Sequence, residues 1–370
     1  MEISVKREDL LHGLYLVQGV VERRTPQPVL ANVLIETDGD HIAMSATDME
    51  IGLRCRVGAQ IKKAGTVTAN ARKLYEIARE VTAETITLKA SAVGWLELHA
   101  GRSKFKVVSL DPKDFPPLPL GPGASGGLTI KVAAGTLREM IDKTIFAVST
   151  DETRFNLSGV YLESGDDGIR MVATDGHRLA MIERALNAPR LPKGVIMPRK
   201  GLVEVRKLLE QGEEVELSLV IAEKDVRVQT PEVAFFMRLI EGEFPDYKQV
   251  VPGSTRSKVR MNREDFLGTL RRMALLASER SHGVKLGLQK GMLEVAASNP
   301  EQGEASEEIE VSYTGEPLTV GFNARYLLDV LGVHAAGDIM ELGLTDEVGP
   351  GVVHGSQDAT FTYVLMPMRL

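Results

Sequence analysis

The chain has 370 residues, 43% of them hydrophobic and 26% charged, with a formal net charge of −7. That length gives room for two or three domains with sizeable cores, and the acidic balance argues against a surface that wraps nucleic acid on all sides. A single cysteine, Cys55, excludes an internal disulfide and a thiolate metal cluster, and the lack of any long apolar run excludes a membrane-spanning helix.

The N-terminus runs straight into an alternating strand over residues 2–5 with no apolar signal region, so a cytoplasmic location is expected. Lys6 to Val21 carries apolar residues at helical spacing and predicts a helix over 6–20, broken by the basic loop Glu22-Arg23-Arg24-Thr25-Pro26. Residues 32–36 and 41–44 flank the turn Thr37-Asp38-Gly39-Asp40 as a hairpin, and Ile51 to Val57 continues as a strand. In that strand Cys55 reads as a small buried hydrophobe. A second helix is predicted over 70–81, then strands over 85–90, 95–99 and 104–110. This is a βαβββ pattern twice over, an α+β arrangement dominated by antiparallel hairpins. Residues 111–127 hold five prolines followed by glycines and read as a linker that cannot pair into a sheet. Further helices are predicted over 134–148, 198–211, 262–277 and 323–334. A second linker, 241–253, has the same Phe-Pro opening, and the acidic stretch 299–308 reads as a solvated loop. The six predicted helices hold 15 Lys and Arg against 11 Asp and Glu, so the helices are the basic part of an acidic protein.

The chain repeats itself with a period of roughly 125 residues, so each copy is domain-sized. Apolar helical patterns recur at Leu10/Leu11/Leu14, Leu137/Met140/Ile141 and Phe266/Leu267/Leu270. A strand end recurs as Ala46-Thr47-Asp48, Ala173-Thr174-Asp175 and, degenerate, Ala297-Ser298-Asn299. A helix opening recurs as Asn70-Ala71-Arg72-Lys73, Pro198-Arg199-Lys200 and Asn323-Ala324-Arg325. The middle strand end continues as Gly176-His177-Arg178-Leu179-Ala180 and places a carboxylate and an imidazole two residues apart. A motif that recurs while losing its His and then its Asp behaves as a structural place in a repeat rather than an active site. No phosphate-binding loop, paired zinc-ligand histidines or nucleophile with a base at fixed spacing accompanies it.

Ala173-Thr174-Asp175-Gly176-His177-Arg178-Leu179-Ala180, Pro198-Arg199-Lys200-Gly201, Phe244-Pro245-Asp246-Tyr247, Asn299-Pro300-Glu301 and the terminal Met366-Pro367-Met368-Arg369-Leu370 occur in order along the whole chain. Together with the triplication they resemble the bacterial DNA polymerase III beta subunit family, the sliding clamps. The resemblance implies an α+β fold of three clamp domains, over residues 1–123, 124–253 and 254–370, each with two helices and two antiparallel sheets. It implies a head-to-tail homodimeric ring of six domains that encircles duplex DNA without reading sequence. It further implies a non-enzymatic processivity subunit, without cofactor or metal, whose partners are the polymerase III alpha subunit, the clamp loader and other proteins bearing short clamp-binding peptides.

Carried over by resemblance, DNA contact falls on Arg24, Arg72, Arg79, Arg199 and Lys200, with Arg154 and Phe155 in a segment where family members touch DNA. The peptide cleft between the second and third domains takes Arg154, Leu157, Thr174, Gly176, His177, Arg178, Leu179, Pro245, Val250, Asn323, Tyr326, Val348, Val364, Met366, Pro367, Met368 and Arg369. The dimer seam takes Phe105 and Val107 on one side and Leu275 and Leu276 on the other. The chain departs from the family pattern at Asn156, where many members carry a second aromatic, and in the Gly- and Pro-rich segment 347–355. Two other readings are a hydrolase or lyase using Asp175 and His177, and a monomeric three-domain scaffold that binds peptides without DNA.

Overall fold

The computed structural model describes residues 1–22, 26–90, 94–120, 126–151, 153–212 and 214–369. They form two compact units, one of Met1–Leu137 with Lys200–Leu239 and one of Arg138–Arg199 with Ile240–Leu370. In the first unit, one antiparallel sheet runs in the order Gln60–Lys63, Glu2–Lys6, Thr85–Ala90, Trp95–Ala100, Ser103–Val108. The other has eight strands: Leu128–Ala133, Glu216–Ile221, Asp225–Gln229, Val233–Arg238, Ile51–Gly58, His41–Thr47, Asn32–Asp38, Thr66–Asn70. In the second unit, an eight-stranded sheet runs Val195–Pro198, Gly159–Ser164, Gly168–Thr174, Arg178–Ala185, Asp358–Leu365, Gly351–Gly355, Ile339–Leu344, Ser257–Asn262. A four-stranded sheet runs Gly303–Glu310, Met292–Asn299, Gly283–Gln289, Leu318–Asn323.

The units do not follow the threefold sequence repeat, because the two long sheets run across it. Val233–Arg238 of the middle copy pairs with Ile51–Gly58 of the first, and Arg178–Ala185 of the middle copy pairs with Asp358–Leu365 of the third. Each repeat contributes two of the six α-helices among the described residues: α1 (Arg7–Gln18), α2 (Ala71–Glu80), α3 (Ala134–Asp142), α4 (Arg199–Leu208), α5 (Arg263–Met273) and α6 (Ala324–Gly332). None of them is long and apolar enough to cross a membrane.

Each helix buries one apolar stripe and turns most of its charged residues away from it. α1 buries Leu10, Gly13, Leu14, Leu16 and Val17, and Gly13 is glycine because the helix lies close on its sheet. A Cβ there would stand 2.8 Å from Val57 Cγ2. Cys55 is buried beneath the same contact, and burial pushes its thiol up to about 12, so it behaves as a small hydrophobe. α2 buries Ala71, Leu74 and Ala78 and exposes Arg72, Lys73 and Arg79. The recurring helix opening is N-cap chemistry. Asn70 Oδ1 accepts from Lys73 N at 2.9 Å and Asn323 Oδ1 from Arg325 N at 2.9 Å. The middle copy has Pro198 at that place, and the Arg199 amide instead donates to Ser158 O at 3.2 Å.

The recurring strand end is a side-chain-capped turn in both of its full copies. In the first, Thr47 Oγ1 donates to Ile51 O and accepts from Met49 N, and Asp48 Oδ1 accepts from Glu50 N and Ile51 N. In the second, Thr174 Oγ1 donates to Arg178 O and accepts from Gly176 N, and Asp175 Oδ1 accepts from His177 N and Arg178 N. The third residue of the turn is left-handed in both, Met49 at φ 81° and Gly176 at φ 88°. In the degenerate third copy only Asn299 Oδ1 accepting from Glu301 N remains.

Two expectations from sequence are corrected, and two features were not read from it. The stretch 299–308 is not a loop: Gly303–Glu310 is an edge strand paired along its length with Met292–Asn299. Its acidic residues stay solvated because, among the described residues, no further strand pairs with that edge. Strand Gln60–Lys63 was not expected, being short and mostly exposed at the edge of its sheet. The predicted helix over 134–148 ends at Asp142, where Thr144 Oγ1 donates back to Met140 O and a 3-10 turn takes over at Ile145–Ala147. Among the described residues, each linker is anchored by aromatic side chains. Phe115 is buried against Val29 and Leu30, and in the second linker Phe244 stacks on Tyr161 with centroids 4.8 Å apart while Tyr247 is buried.

Candidate functional site

Three strands and the second linker meet in one apolar cluster. Val172 from Gly168–Thr174, Leu179 from Arg178–Ala185, Val364 from Asp358–Leu365 and Tyr247 from the linker are buried together, with Tyr161, Met181, Phe244 and Val251 packed on them. Leu179 and Val364 sit opposite each other in register, and Thr174 is opposite Leu179 on the other side. Tyr247 is held at this place by polar bonds behind it: its hydroxyl donates to Glu163 Oε1 at 2.5 Å, and Arg170 Nη1 approaches both. Burial and the Glu163 carboxylate hold the phenol well above its ordinary pKa, so it remains a neutral donor. Pro245 and Val250 flank it on the linker, both exposed.

The capped turn of the middle repeat stands at the rim. His177 is exposed with its backbone carbonyl accepting from Met366 N at 2.9 Å, and Met368 N donates to Gly321 O at 2.9 Å. The terminal segment is thereby pinned at two points, with Met366, Pro367 and Met368 half-buried and Arg369 exposed. Arg154 Nη1 donates to Asp175 O at 3.3 Å and its Nε lies 3.6 Å from Asp151. Gly176 lies under Arg154, where a Cβ would meet Nη1 at 3.0 Å. Leu157 is buried in the 3-10 turn Phe155–Leu157, next to an exposed Phe155. Asn156, where the family carries a second aromatic, donates from Nδ2 to Glu243 O at 2.9 Å and ties this turn to the second linker.

Arg178 connects the turn to α6. Its Nε donates to Asp175 Oδ2 at 2.9 Å, its Nη1 to Asp329 Oδ2 at 2.5 Å and its Nη2 to Phe146 O at 2.5 Å, and its plane lies 4.3 Å over the Tyr326 ring. Asn323 caps the same helix. Of the cleft residues expected from sequence, Arg154, Thr174, Gly176, His177, Arg178, Leu179, Tyr326, Val364 and Met366 are thus joined by direct contacts or strand register. Val348 stands apart, 72% exposed in a turn where Asp346 accepts from its amide. Asp329, Phe146, Tyr247 and Val172 belong to the same arrangement and were not read from sequence. Asp329 could have been suspected, being three residues from Tyr326 on one helix face.

The expected DNA contacts are distributed differently. Arg24 lies outside the described residues. Arg72 and Arg199 are exposed. Arg79 is exposed too, its Nε 3.0 Å from Glu80 and its guanidinium 6.0 Å from the Tyr75 centroid. Lys200 is engaged by Glu22 at 2.9 Å and by the buried carboxylate of Asp48. Burial works against its charge, but these two carboxylates outweigh it and raise its pKa. The expected seam residues lie on different elements: Phe105 and Val107 on Ser103–Val108, Leu275 (77% exposed) and Leu276 in the 3-10 turn after α5.

Fold and site together are those of a binding protein. Asp175 is spent on capping a turn and holding Arg178, and beside that turn lies the buried apolar cluster with polar side chains around it. The N-terminal, central and C-terminal domain models of the DNA polymerase III beta subunit match residues 1–119, 131–246 and 248–369. The chain belongs to that family: it is a DNA sliding clamp, a processivity factor and not an enzyme. A beta sliding clamp of Caulobacter vibrioides is 40% identical over 381 residues, with 100% of both chains covered. The crystal structure of the DNA polymerase III subunit beta from Pseudomonas aeruginosa is 39% identical with a TM-score of 0.94, again covering 100% of both chains. A sliding clamp from Bartonella birtlesii, solved bound to griselimycin, is 35% identical with a TM-score of 0.95 and 100% coverage of both.

Proposed function

We propose that two copies of this chain close head to tail into a ring around duplex DNA, with three domains per copy bounded at 1–123, 124–253 and 254–370. The observation that carries this is the state of the sheet edges. Two of the four sheets run unbroken across the repeat, while the other two stop at Ser103–Val108 and Gly303–Glu310. A long uncovered edge strand is a template for pairing. These two edges carry opposite charge, Lys104 and Lys106 against Glu304, Glu308 and Glu310, so each rejects its own kind and accepts the other. Joined between two chains, with Phe105 and Val107 against Leu275 and Leu276, they supply both main-chain pairing and apolar burial.

Arg72, Arg79, Arg154, Phe155, Arg199 and Lys200, together with Arg24, are then the DNA contacts, acting on phosphate and so without sequence preference. Because Lys200 already carries two carboxylate partners, Arg199 contributes the larger share at that helix start. The apolar floor of Leu179, Val364 and Tyr247 receives leucine or phenylalanine anchors of short peptides from the polymerase alpha subunit, the clamp loader and other replication proteins, in the cytoplasm where the chromosome is copied. The test is solution mass together with retention on DNA. A two-chain ring stays on closed circles and runs off linear ends; a single-chain particle, or equal retention on both, refutes the reading.

A further inference from the structure

Arg178 is among the residues the resemblance assigns to peptide contact, yet its side chain is only 10% exposed. Each of its three guanidinium nitrogens already has a partner within the protein: Asp175, Asp329 and the Phe146 carbonyl. One face lies 4.3 Å over Tyr326, and the Phe146 ring is at 5.6 Å. A guanidinium committed at its nitrogens and on one face has little left to offer a ligand. Its work is internal.

The two partners that matter come from one helix. Tyr326 and Asp329 are three residues apart on α6 and so share a face. The backbone of Tyr326 is pinned as well, since its carbonyl accepts from the Tyr363 hydroxyl at 3.0 Å. What remains to be set is the ring. Asp175 cannot set it, because it holds the guanidinium from within the Arg178 turn. Among the three hydrogen-bond partners named above, Asp329 is the one on α6, and it draws the guanidinium toward that helix and down onto the ring. We propose that Asp329 is a positioning residue of the cleft, acting through Arg178 to fix the Tyr326 ring as the wall against which an apolar peptide anchor packs. This rests on the cleft reading given above.

The experiment is fluorescence anisotropy with a short uncharged peptide carrying leucine and phenylalanine anchors. It is titrated with the full chain and with Asp329→Asn, Asp329→Glu, Tyr326→Ala and the Asn/Ala double variant. Asp329→Asn is expected to weaken binding roughly tenfold at a temperature where both chains are fully folded by circular dichroism, with partial recovery in Asp329→Glu. The double variant is expected to bind no worse than Tyr326→Ala alone, because Asp329 acts only through that ring. Unchanged affinity in Asp329→Asn overturns the proposal, as does a fully additive double variant, or an affinity loss that disappears when binding is compared on the folded fraction alone. In each of those cases a parent chain that binds the peptide leaves the cleft itself standing. A parent chain that does not bind overturns the cleft reading and this proposal with it.

Discussion

Replacing Asp358 by Asn tests how the third repeat is fastened to the middle one. Asp358 Oδ2 accepts from Lys143 Nζ at 2.5 Å and from Arg184 Nη2 at 2.7 Å, and Oδ1 accepts from Thr360 N at 3.1 Å. All three charged side chains are largely shielded, at 16%, 10% and 19% exposure for Asp358, Lys143 and Arg184. Removing one partner of a buried pair costs about 3–5 kcal/mol, mostly through the charge left behind. Here Glu139 still faces both cations, at 2.9 Å from Lys143 and 2.6 Å from Arg184, which offsets part of that loss. We expect Asp358→Asn to lower stability by about 2 kcal/mol at neutral pH in urea unfolding. Burial alone would raise the Asp358 pKa, but the hydrogen bonds from Arg184, Lys143 and Thr360 outweigh it and hold the carboxyl well below its ordinary range. A depressed carboxyl pKa contributes stability that is complete above the unfolded value of about 3.9 and is lost as pH falls through the folded value. The difference between parent and variant is therefore flat from neutral pH down to about pH 4 and narrows below it. A difference under about 0.5 kcal/mol at neutral pH, or one that widens on acidification, would refute the reasoning.

Three further outcomes follow from the same reasoning. Gly176→Ala, which forces a side chain to φ 88° beneath Arg154, is expected to cost about 1–2 kcal/mol in thermal unfolding, whereas Met49→Gly, relieving φ 81°, is neutral to slightly stabilising. Deleting 366–370 removes both backbone ties of the tail and is expected to abolish peptide binding by anisotropy while sedimentation still shows two chains. Reversing Lys104 and Lys106 to Glu should weaken chain pairing, each exposed charge contributing about 0.2–1 kcal/mol. Mixing with a chain in which Glu304 and Glu308 are Lys should restore pairing, and equal sedimentation of all combinations would exclude this seam.

The helices were legible because their burial is one-sided. Leu10, Leu14 and Val17, or Leu327, Val330 and Leu331, fall at helical spacing and are buried as that spacing predicts. Strand Gly303–Glu310 was not legible for the complementary reason. It is an edge strand with acidic residues along it, so no apolar alternation marks it, and its order comes from main-chain pairing with Met292–Asn299. The apolar floor of the site was half visible: Leu179 and Val364 came by resemblance, while Tyr247 was taken as part of a linker. What holds Tyr247 in that cluster is a hydroxyl reaching Glu163, 84 residues away in sequence. Periodicity carries no information about a partner at that separation.

The two full copies of the strand-end turn show how a structural motif comes to border a binding site. Thr and Asp are kept in both because they satisfy the backbone amides and the carbonyl of the turn itself, whatever lies beside it. In the first copy Asp48 has its second oxygen on Lys200, and the third turn position tolerates a methionine at φ 81°. In the middle copy Asp175 turns its second oxygen to Arg178, which goes on to Asp329 and Tyr326 of α6, while Gly176 leaves room for Arg154. The added Gly-His-Arg is thus needed only where a helix of the next repeat stands within reach of the turn. That is why a catalytic reading of Asp175 and His177 fails on physical grounds: the carboxylate that would serve as base is saturated by two amides and a guanidinium. His177 is tied in through its carbonyl, which holds the tail at Met366.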